Sequence, residues 1–238
     1  MIPWLRGDAA FPPIEHALAE PNGLLAAGGD LSPARLLAAY SRGIFPWYSE
    51  GQPILWWSPD PRMVLDCDEL KVTRSLRKTV ASRKFEIRVD TAFRHVIGEC
   101  SLPRTRHHGT WIMPEMIEAY TRLHALGHAH SVEAWRDGAL VGGLYGVSIG
   151  RMFFGESMFA RESDASKVAL VHLVAMLKER AMPMIDCQQD TDHLARLGAR
   201  PIARRTFAKA LERLVHCPEP DRPWSGAQGA GHPDDQTQ

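Results

Sequence analysis

Three polar side chains stand inside apolar runs of this chain: Glu156 in Phe154-Gly155-Glu156-Ser157-Met158-Phe159, and Asp186 and Gln188 in Ile185-Asp186-Cys187-Gln188. A carboxylate inside an apolar strand costs several kcal/mol unless it is paired or used. One such residue reads as a satisfied core polar group; three within residues 140–188 point to a site. Asp186 and Gln188 are two apart on an expected strand. They therefore share a face, roughly 6.6 Å apart along it, with Cys187 on the other. A structural hydrogen-bonded pair is the alternative to a cleft-facing one.

The elements that must position these groups are legible. Residues 140–188 read strand, turn, strand, helix, strand. Before them, His130 to Trp135 alternates like a strand, and Asp137-Gly138 is a strong two-residue hairpin turn. Ser163 or Asp164 is expected to cap the long helix of this unit, which carries Val168, Leu170, Val171, Leu173, Val174 and Leu177. Upstream, residues 14–19 suggest a short helix. Ser32 and Pro33 open a helix that Gly43 stops. Thr73 opens a basic helix, Phe85 to Val89 form a strand, and Asp90 is expected to cap a helix with Phe93, Val96 and Ile97 inward. Ser101 to Gly109 reads as a mobile loop. Pro114 starts a helix that Gly127 ends, Thr191 caps a short one, and Thr206 to Val215 form the last.

The 238 residues suit one large domain or two small ones, and the mix of 45% hydrophobic and 24% charged residues is that of a globular protein. No apolar run approaches the ~20 residues of a membrane helix, and the first residues lack the basic start and apolar core of a signal peptide. The four cysteines form no CxxC pair, which favours reduced thiols over a disulfide frame or zinc site. Zero net charge argues against a general nucleic-acid coat but leaves room for local basic faces. Residues 71–88 hold one such run. Arg200, Arg204, Arg205 and Lys209 hold another. A solvated helix face is the plain alternative for each.

Trp47, Trp56 and Trp57 sit among prolines, so residues 44–62 are expected to be irregular rather than sheet interior. Aromatics there could stack on a base, or form a small core that pins the N-terminal region. Leu24 to Asp30 is Gly-rich but not a phosphate loop, because neither Gly-Lys-Ser/Thr nor GxGxxG is present. His124, His128 and His130 lack a carboxylate or cysteine at matching spacing, so no metal site is expected. Ser157 and Ser166 lack evident His/Asp partners, which disfavours a serine hydrolase.

Taken together, these residues closely resemble the leucyl/phenylalanyl-tRNA–protein transferases. The segments that carry the likeness are residues 21–40 (PNGLLAAGGDLSPARLLAAY), 43–47 (GIFPW), 53–62 (PILWWSPDPR), 109–112 (GTWI) and 123–133 (LHALGHAHSVE). They continue through 140–146 (LVGGLYG), 155–159 (GESMF), 165–167 and 185–188, in order. The likeness covers about residues 11–213.

The resemblance implies a cytoplasmic enzyme that moves Leu or Phe from a charged tRNA to the N-terminal Arg or Lys of a protein, marking it for degradation. It implies an α+β fold: a small N-terminal domain (1–62) and a larger domain (63–216) similar to the acyl-CoA N-acyltransferase (GNAT-like) fold. Outside the likeness, residues 217–238 are dominated by Pro, Gly, Asp and Gln and read as a disordered tail. The resemblance implies no metal or small cofactor and no membrane partner. It points to Asp186 and Gln188 as catalytic. Their chemistry suggests that Asp186 accepts from the Gln188 NH2 so that the amide carbonyl orients the incoming amine; the rival is that the tRNA 2′-hydroxyl shuttles the proton and the protein only aligns. The chemistry needs further sub-sites. Leu144, Met158 and Leu170 suit an apolar hole, and Trp47 and Trp111 suit adenine stacking. Glu156 suits a cationic acceptor, and Arg74, Arg77 and Lys78 suit acceptor-stem phosphates. An acetyltransferase on the same fold is the alternative. Its pyrophosphate loop wants glycines at a helix start, where residues 161–166 (RESDAS) offer two acids instead. A non-catalytic tRNA- or N-terminus-binding module is a second alternative.

Overall fold

The computed structural model describes residues 2–102, 112–218 and 224. The N-terminal part holds strands β1 (Trp4–Leu5) and β2 (Leu24–Gly28), helix α1 (Pro33–Tyr40), and strands β3 (Phe45–Pro46) and β4 (Leu55–Trp57). Together these strands form a four-stranded sheet in the order β1-β2-β4-β3. The Ser32 hydroxyl accepts from the Arg35 N–H with Pro33 behind it, as the sequence predicts. Two expectations are corrected. The helix over 14–19 is a single 3-10 turn, Ile14–His16. Trp56, expected in irregular chain, is fully buried in an interior strand, its N–H on the Gly28 carbonyl and its ring edge-on to Phe11 at 4.8 Å. Its neighbour proline sits in edge strand β3, where a missing donor costs nothing.

The larger part runs β5 (Arg62–Asp66), α2 (Arg74–Ala81), β6 (Glu86–Val89), α3 (Phe93–Ser101), α4 (Pro114–Ala125), β7 (Ala129–Arg136) and β8 (Ala139–Ile149). It continues with β9 (Met152–Ala160), α5 (Ala165–Glu179), β10 (Met184–Gln188), α6 (Asp192–Arg196), β11 (Arg200–Ile202) and α7 (Arg204–Val215). Its seven-stranded sheet has the order β11-β5-β10-β9-β8-β7-β6. Neighbours are antiparallel except β9 and β10, which run parallel. The α5 helix covers one face. The α1, α3, α4 and α7 helices and the small sheet share a core on the other. The β7–β8 hairpin turns on Asp137 and Gly138, both at positive φ (51° and 77°), the conformation an Asp-Gly type I′ turn requires.

Two helix starts differ from expectation. Asp90 does not cap α3: it accepts from the Ser131 N–H and faces His130. The buried Glu133 caps instead, its carboxylate accepting from the Thr91 and Ala92 N–H groups, the Thr91 and Ser131 hydroxyls and the Trp135 indole. That accounts for a fully buried acid without a functional role. Asp164 stands at the α5 N-cap position at φ 66°, but its carboxylate pairs with Lys167 rather than with backbone.

Most of the expected 101–109 loop and of the tail beyond Cys217 lies outside the described residues. Trp224 is described, and it packs: its ring stacks on His130 at 4.1 Å, tilts against Phe153, and lies under the Arg180 guanidinium at 4.9 Å. Among the described residues no helix is long and apolar enough to cross a membrane.

Candidate active site

Glu156, Asp186 and Gln188 meet on the sheet face opposite α5. Strand β10 brings in Asp186, fully buried, between β5 and β9. Arg62, at the first position of β5, reaches it with two parallel hydrogen bonds: Nε to Oδ1 at 2.8 Å and Nη2 to Oδ2 at 2.7 Å. The guanidinium is itself fully buried. Its third nitrogen, Nη1, donates to the Gly43 carbonyl at 3.0 Å, and the rings of Phe45 (4.9 Å) and Phe207 (4.7 Å) lie against the guanidinium. This bidentate fork holds Asp186 in one orientation. Gly43 has φ 71°, and a side chain on it would come within 2.8 Å of the Phe207 ring, so the approach of α7 to Arg62 requires glycine there.

Asp186 also accepts the backbone N–H of Gln188 at 3.0 Å. Gln188 has φ 56°, and the β10–β5 register slips between the two residues. Here the expected contact is corrected. The Gln188 NH2 donates not to Asp186 but to Oε1 of Glu156, at 3.2 Å. Asp186 instead fixes the backbone that carries it.

Glu156 reaches this position through a β-bulge. Tyr145 pairs with Ser157 and Gly146 with Gly155, leaving Glu156 as the extra residue of β9. Gly146 is required opposite it, since a Cβ there would lie 2.3 Å from the Phe154 carbonyl oxygen. The Tyr40 hydroxyl donates to Glu156 Oε1 at 2.7 Å, and the Tyr120 hydroxyl to Oε2 at 3.2 Å; the two phenols also touch each other. Burial pushes the Glu156 carboxyl up to about 7, while the two tyrosine hydroxyls pull it down. Burial, with the Glu156 charge beside them, drives both phenols well above their usual range, so they are donors at any working pH. Of the roughly four acceptor positions of a carboxylate, the described residues fill three and leave one on Oε2.

The apolar candidates form a second group. Leu144 and Met158 face each other across β8 and β9, and Leu170 of α5 joins the same cluster. This cluster lies on the α5 face, whereas Tyr40 and Tyr120 approach Glu156 from the other. The two sides meet where the strands part. The β9–β10 pairing comprises Ile185 with Phe153 and Asp186 with Phe154, after which β9 continues to Ala160 without β10 beside it. Glu156 stands on one lip of this parting and Gln188 on the other.

The remaining candidates are apart from this centre. Trp47 is 37% exposed and stands edge-on to Trp57 at 5.6 Å. Trp111 lies outside the described residues. Arg74, Arg77 and Lys78 are exposed on α2, where Thr73 caps the first turn. The fold also supplies what the spacing of the histidines lacked: Asp90 lies beside His124 and His130, the ligand-type atoms of all three within 4.8 Å of one another. Their atoms are engaged locally, His130 Nδ1 with Asp90 and Nε2 with the Gly127 carbonyl, His124 Nδ1 with the Ala129 carbonyl.

Sequence reasoning missed Arg62, Tyr40 and Tyr120. Both tyrosines stand at inward positions of amphipathic helices, which hides a buried hydroxyl among apolar neighbours. Arg62 sits 124 residues from its partner.

Comparison with known proteins agrees with the early likeness. Residues 64–212 match the family model described as leucyl/phenylalanyl-tRNA protein transferase, and residues 29–60 match the model of that family's N-terminal domain. The chain is 61% identical over 230 residues to the leucyl/phenylalanyl-tRNA–protein transferase of Azoarcus sp. (strain BH72), covering 97% of this chain and 98% of that one. It is also 61% identical over 224 residues to that of Chromobacterium violaceum, covering 94% and 96%. Among solved structures, a GCN5-related N-acetyltransferase from Kribbella flavida is 12% identical with a TM-score of 0.34, covering 72% of this chain and 61% of that one.

Proposed function

This chain belongs to the leucyl/phenylalanyl-tRNA–protein transferase family, an aminoacyltransferase family, and from that premise we propose that it carries Leu or Phe from the 3′-adenosine ester of a charged tRNA to the α-amine of a protein beginning with Arg or Lys. The expected setting is the cytoplasm, and the expected consequence is degradation of the modified protein. The observation that carries the reading is the constellation at the parting of β9 and β10. There a carboxyl near neutrality, a fixed amide and a locked carboxylate converge beside an apolar cluster. Residues 161–166 open α5 with no phosphate-cradling glycines, which disfavours the acyl-CoA alternative.

The reaction joins the amine nitrogen to the ester carbonyl carbon and breaks the bond from that carbon to the ribose 3′-oxygen. One proton leaves the amine and one arrives on the 3′-oxygen. The Gln188 NH2 is spent on Glu156, so its amide oxygen is left to accept from the incoming amine. Glutamine cannot take the proton itself; Glu156, with one acceptor position left and a carboxyl near 7, is matched to an amine whose ordinary pKa is about 8. A carboxylate with one position left cannot hold a guanidinium bidentately. We therefore place the α-amine at Glu156, rather than the Arg or Lys side chain. Leu144, Met158 and Leu170 receive the Leu or Phe side chain through the gap between the strands, and Trp47 and Trp111 stack on the adenine. Arg74, Arg77 and Lys78 contact stem phosphates. Much of the acceleration is then alignment.

The test is transfer of labelled Leu, Phe or Val from charged tRNA to proteins starting with Arg, Lys or Ala. Transfer of Leu and Phe to Arg and Lys but not to Ala is expected. Acetyl-CoA turnover with no aminoacyl transfer would overturn the reading. A second measurement separates Glu156 from the tRNA 2′-hydroxyl as proton carrier. The Glu156→Gln variant should lose at least ~100-fold in single-turnover rate; a near-normal rate would hand the role to the hydroxyl.

A further inference from the structure

Helix α7 turns Phe207, Leu211 and Leu214 inward, with Phe207 resting on Arg62. Its outer face carries Arg205, Lys209 and Arg213, all exposed and spaced four apart, so they line one side of the helix over about 12 Å. Elsewhere on the surface, Arg88, Arg94, Arg136, Arg161 and Arg200 each bond a carboxylate. Among the described residues no ion pair is formed by Arg205, Lys209 or Arg213. The same holds for Arg74 and Lys78 on α2. Exposed Glu212 stands within the stripe and lowers its net charge. In a chain of zero net charge, a helix face with three such cations against one acid still has a net positive field to offer. That helix packs directly on the Asp186–Arg62 pair, the Phe207 ring 4.7 Å from the guanidinium, so its outer face lies about one helix diameter, ~10 Å, further out.

We propose that the Arg205–Lys209–Arg213 face of α7 is a second phosphate-binding surface, gripping the sugar-phosphate backbone of the RNA whose 3′ end enters the active site. The inference rests on the aminoacyl-tRNA reading above and extends it. The α2 cations lie on the α5 side of the sheet and the α7 cations on the side of the polar centre. The two patches thus face away from each other across the sheet, and an RNA that touched both would have to pass around its edge. Three cations lie too far apart to read a base edge together, and exposed side chains of this type hold backbone without selecting sequence.

The experiment measures binding of a deacylated tRNA transcript between ~50 and ~200 mM salt, for the full chain and for the triple variant R205Q/K209Q/R213Q. Each lost phosphate contact removes about 0.7–0.9 from the slope of log K against log salt. The triple variant should therefore flatten by about 2–3 and bind at least tenfold more weakly at ~0.1 M salt. Glu212→Gln should change affinity in the opposite direction, and R205K/R213K should retain most of it. Transfer from a phenylalanyl ester of adenosine, which has no phosphate, should be unchanged in the triple variant and reports an intact active site. If the unmodified chain neither binds tRNA nor transfers, the functional reading itself fails. If it does both, and the triple variant matches its affinity and slope, this inference alone is overturned. It is likewise overturned if tRNA binding is kept but transfer to protein acceptors is lost, which would assign the stripe to an acidic face of the acceptor.

Discussion

Asp186 and Glu156 are two carboxylates on adjacent parallel strands, and they are built in opposite ways. Asp186 meets a guanidinium through two bonds, and that guanidinium is itself buried against the rings of Phe45 and Phe207. Glu156 meets two phenols and an amide, none of which carries a compensating positive charge, and it keeps one acceptor position. A charge neutralised by a charge becomes a fixed part of the scaffold. A charge held by neutral donors in a poorly solvated place stays close to giving itself up, and burial has lifted this one to about 7. The first arrangement suits holding geometry and the second suits exchanging a proton.

The largest effect should come from breaking the scaffold side. Arg62→Met leaves Asp186 buried without its partner and should cost about 3–5 kcal/mol of stability, measured by thermal or urea unfolding. Adding Asp186→Leu should recover much of that loss. A single variant as stable as the parent would erase the contrast.

The next effect distinguishes Glu156 by pH. Its carboxyl is raised in the fold from an ordinary 4.5 to about 7, so the folded state holds more protons than the unfolded one between those values. Its contribution to stability is therefore fully present below about 4.5 and is lost as pH rises through about 7. Comparing unfolding free energies of the parent and Glu156→Gln across that window isolates the slope; parallel curves would remove Glu156 from the switchable class. The rate of transfer should rise more steeply through about 7 in the parent than in the variant, which keeps only the rise that comes from deprotonating the acceptor amine.

The smallest effects grade the phenols. Tyr40→Phe removes the shorter hydrogen bond, so the midpoint of the rate–pH profile should move upward by about one unit. Tyr120→Phe, with the longer bond, should move it less. Downward shifts would mean that the phenols do not stabilise the ionised acid.

The local signals in the chain read true. Ser32, Thr73 and Thr191 accept from the first turns of their helices, and Asp137-Gly138 makes the hairpin, because each depends on neighbours within four residues. Polar residues in apolar strands announced Glu156, Asp186 and Gln188, because burial cost is visible in a local pattern. What those residues bond to was not visible. The Asp186 partner comes from across the sheet, and the bulge that turns Glu156 toward two tyrosines is a register event between two strands. Asp90 failed as a cap for the same reason: Glu133, on a different strand, took the place. Trp56 looked irregular because the edge position of its proline neighbour is a fact of sheet order.

The Tyr40 hydroxyl and the Gly43 carbonyl enter this centre from the first sixty residues, while the acids they serve come from beyond residue 150. Neither segment can be exchanged for a foreign counterpart that merely folds. A replacement front end would have to deliver a phenol and a carbonyl to the same two points, or strand a guanidinium and an acid away from water. The two segments are thus bound to be inherited together, and a chimaera assembled from distant relatives is a sensitive probe of how closely those relatives share one centre.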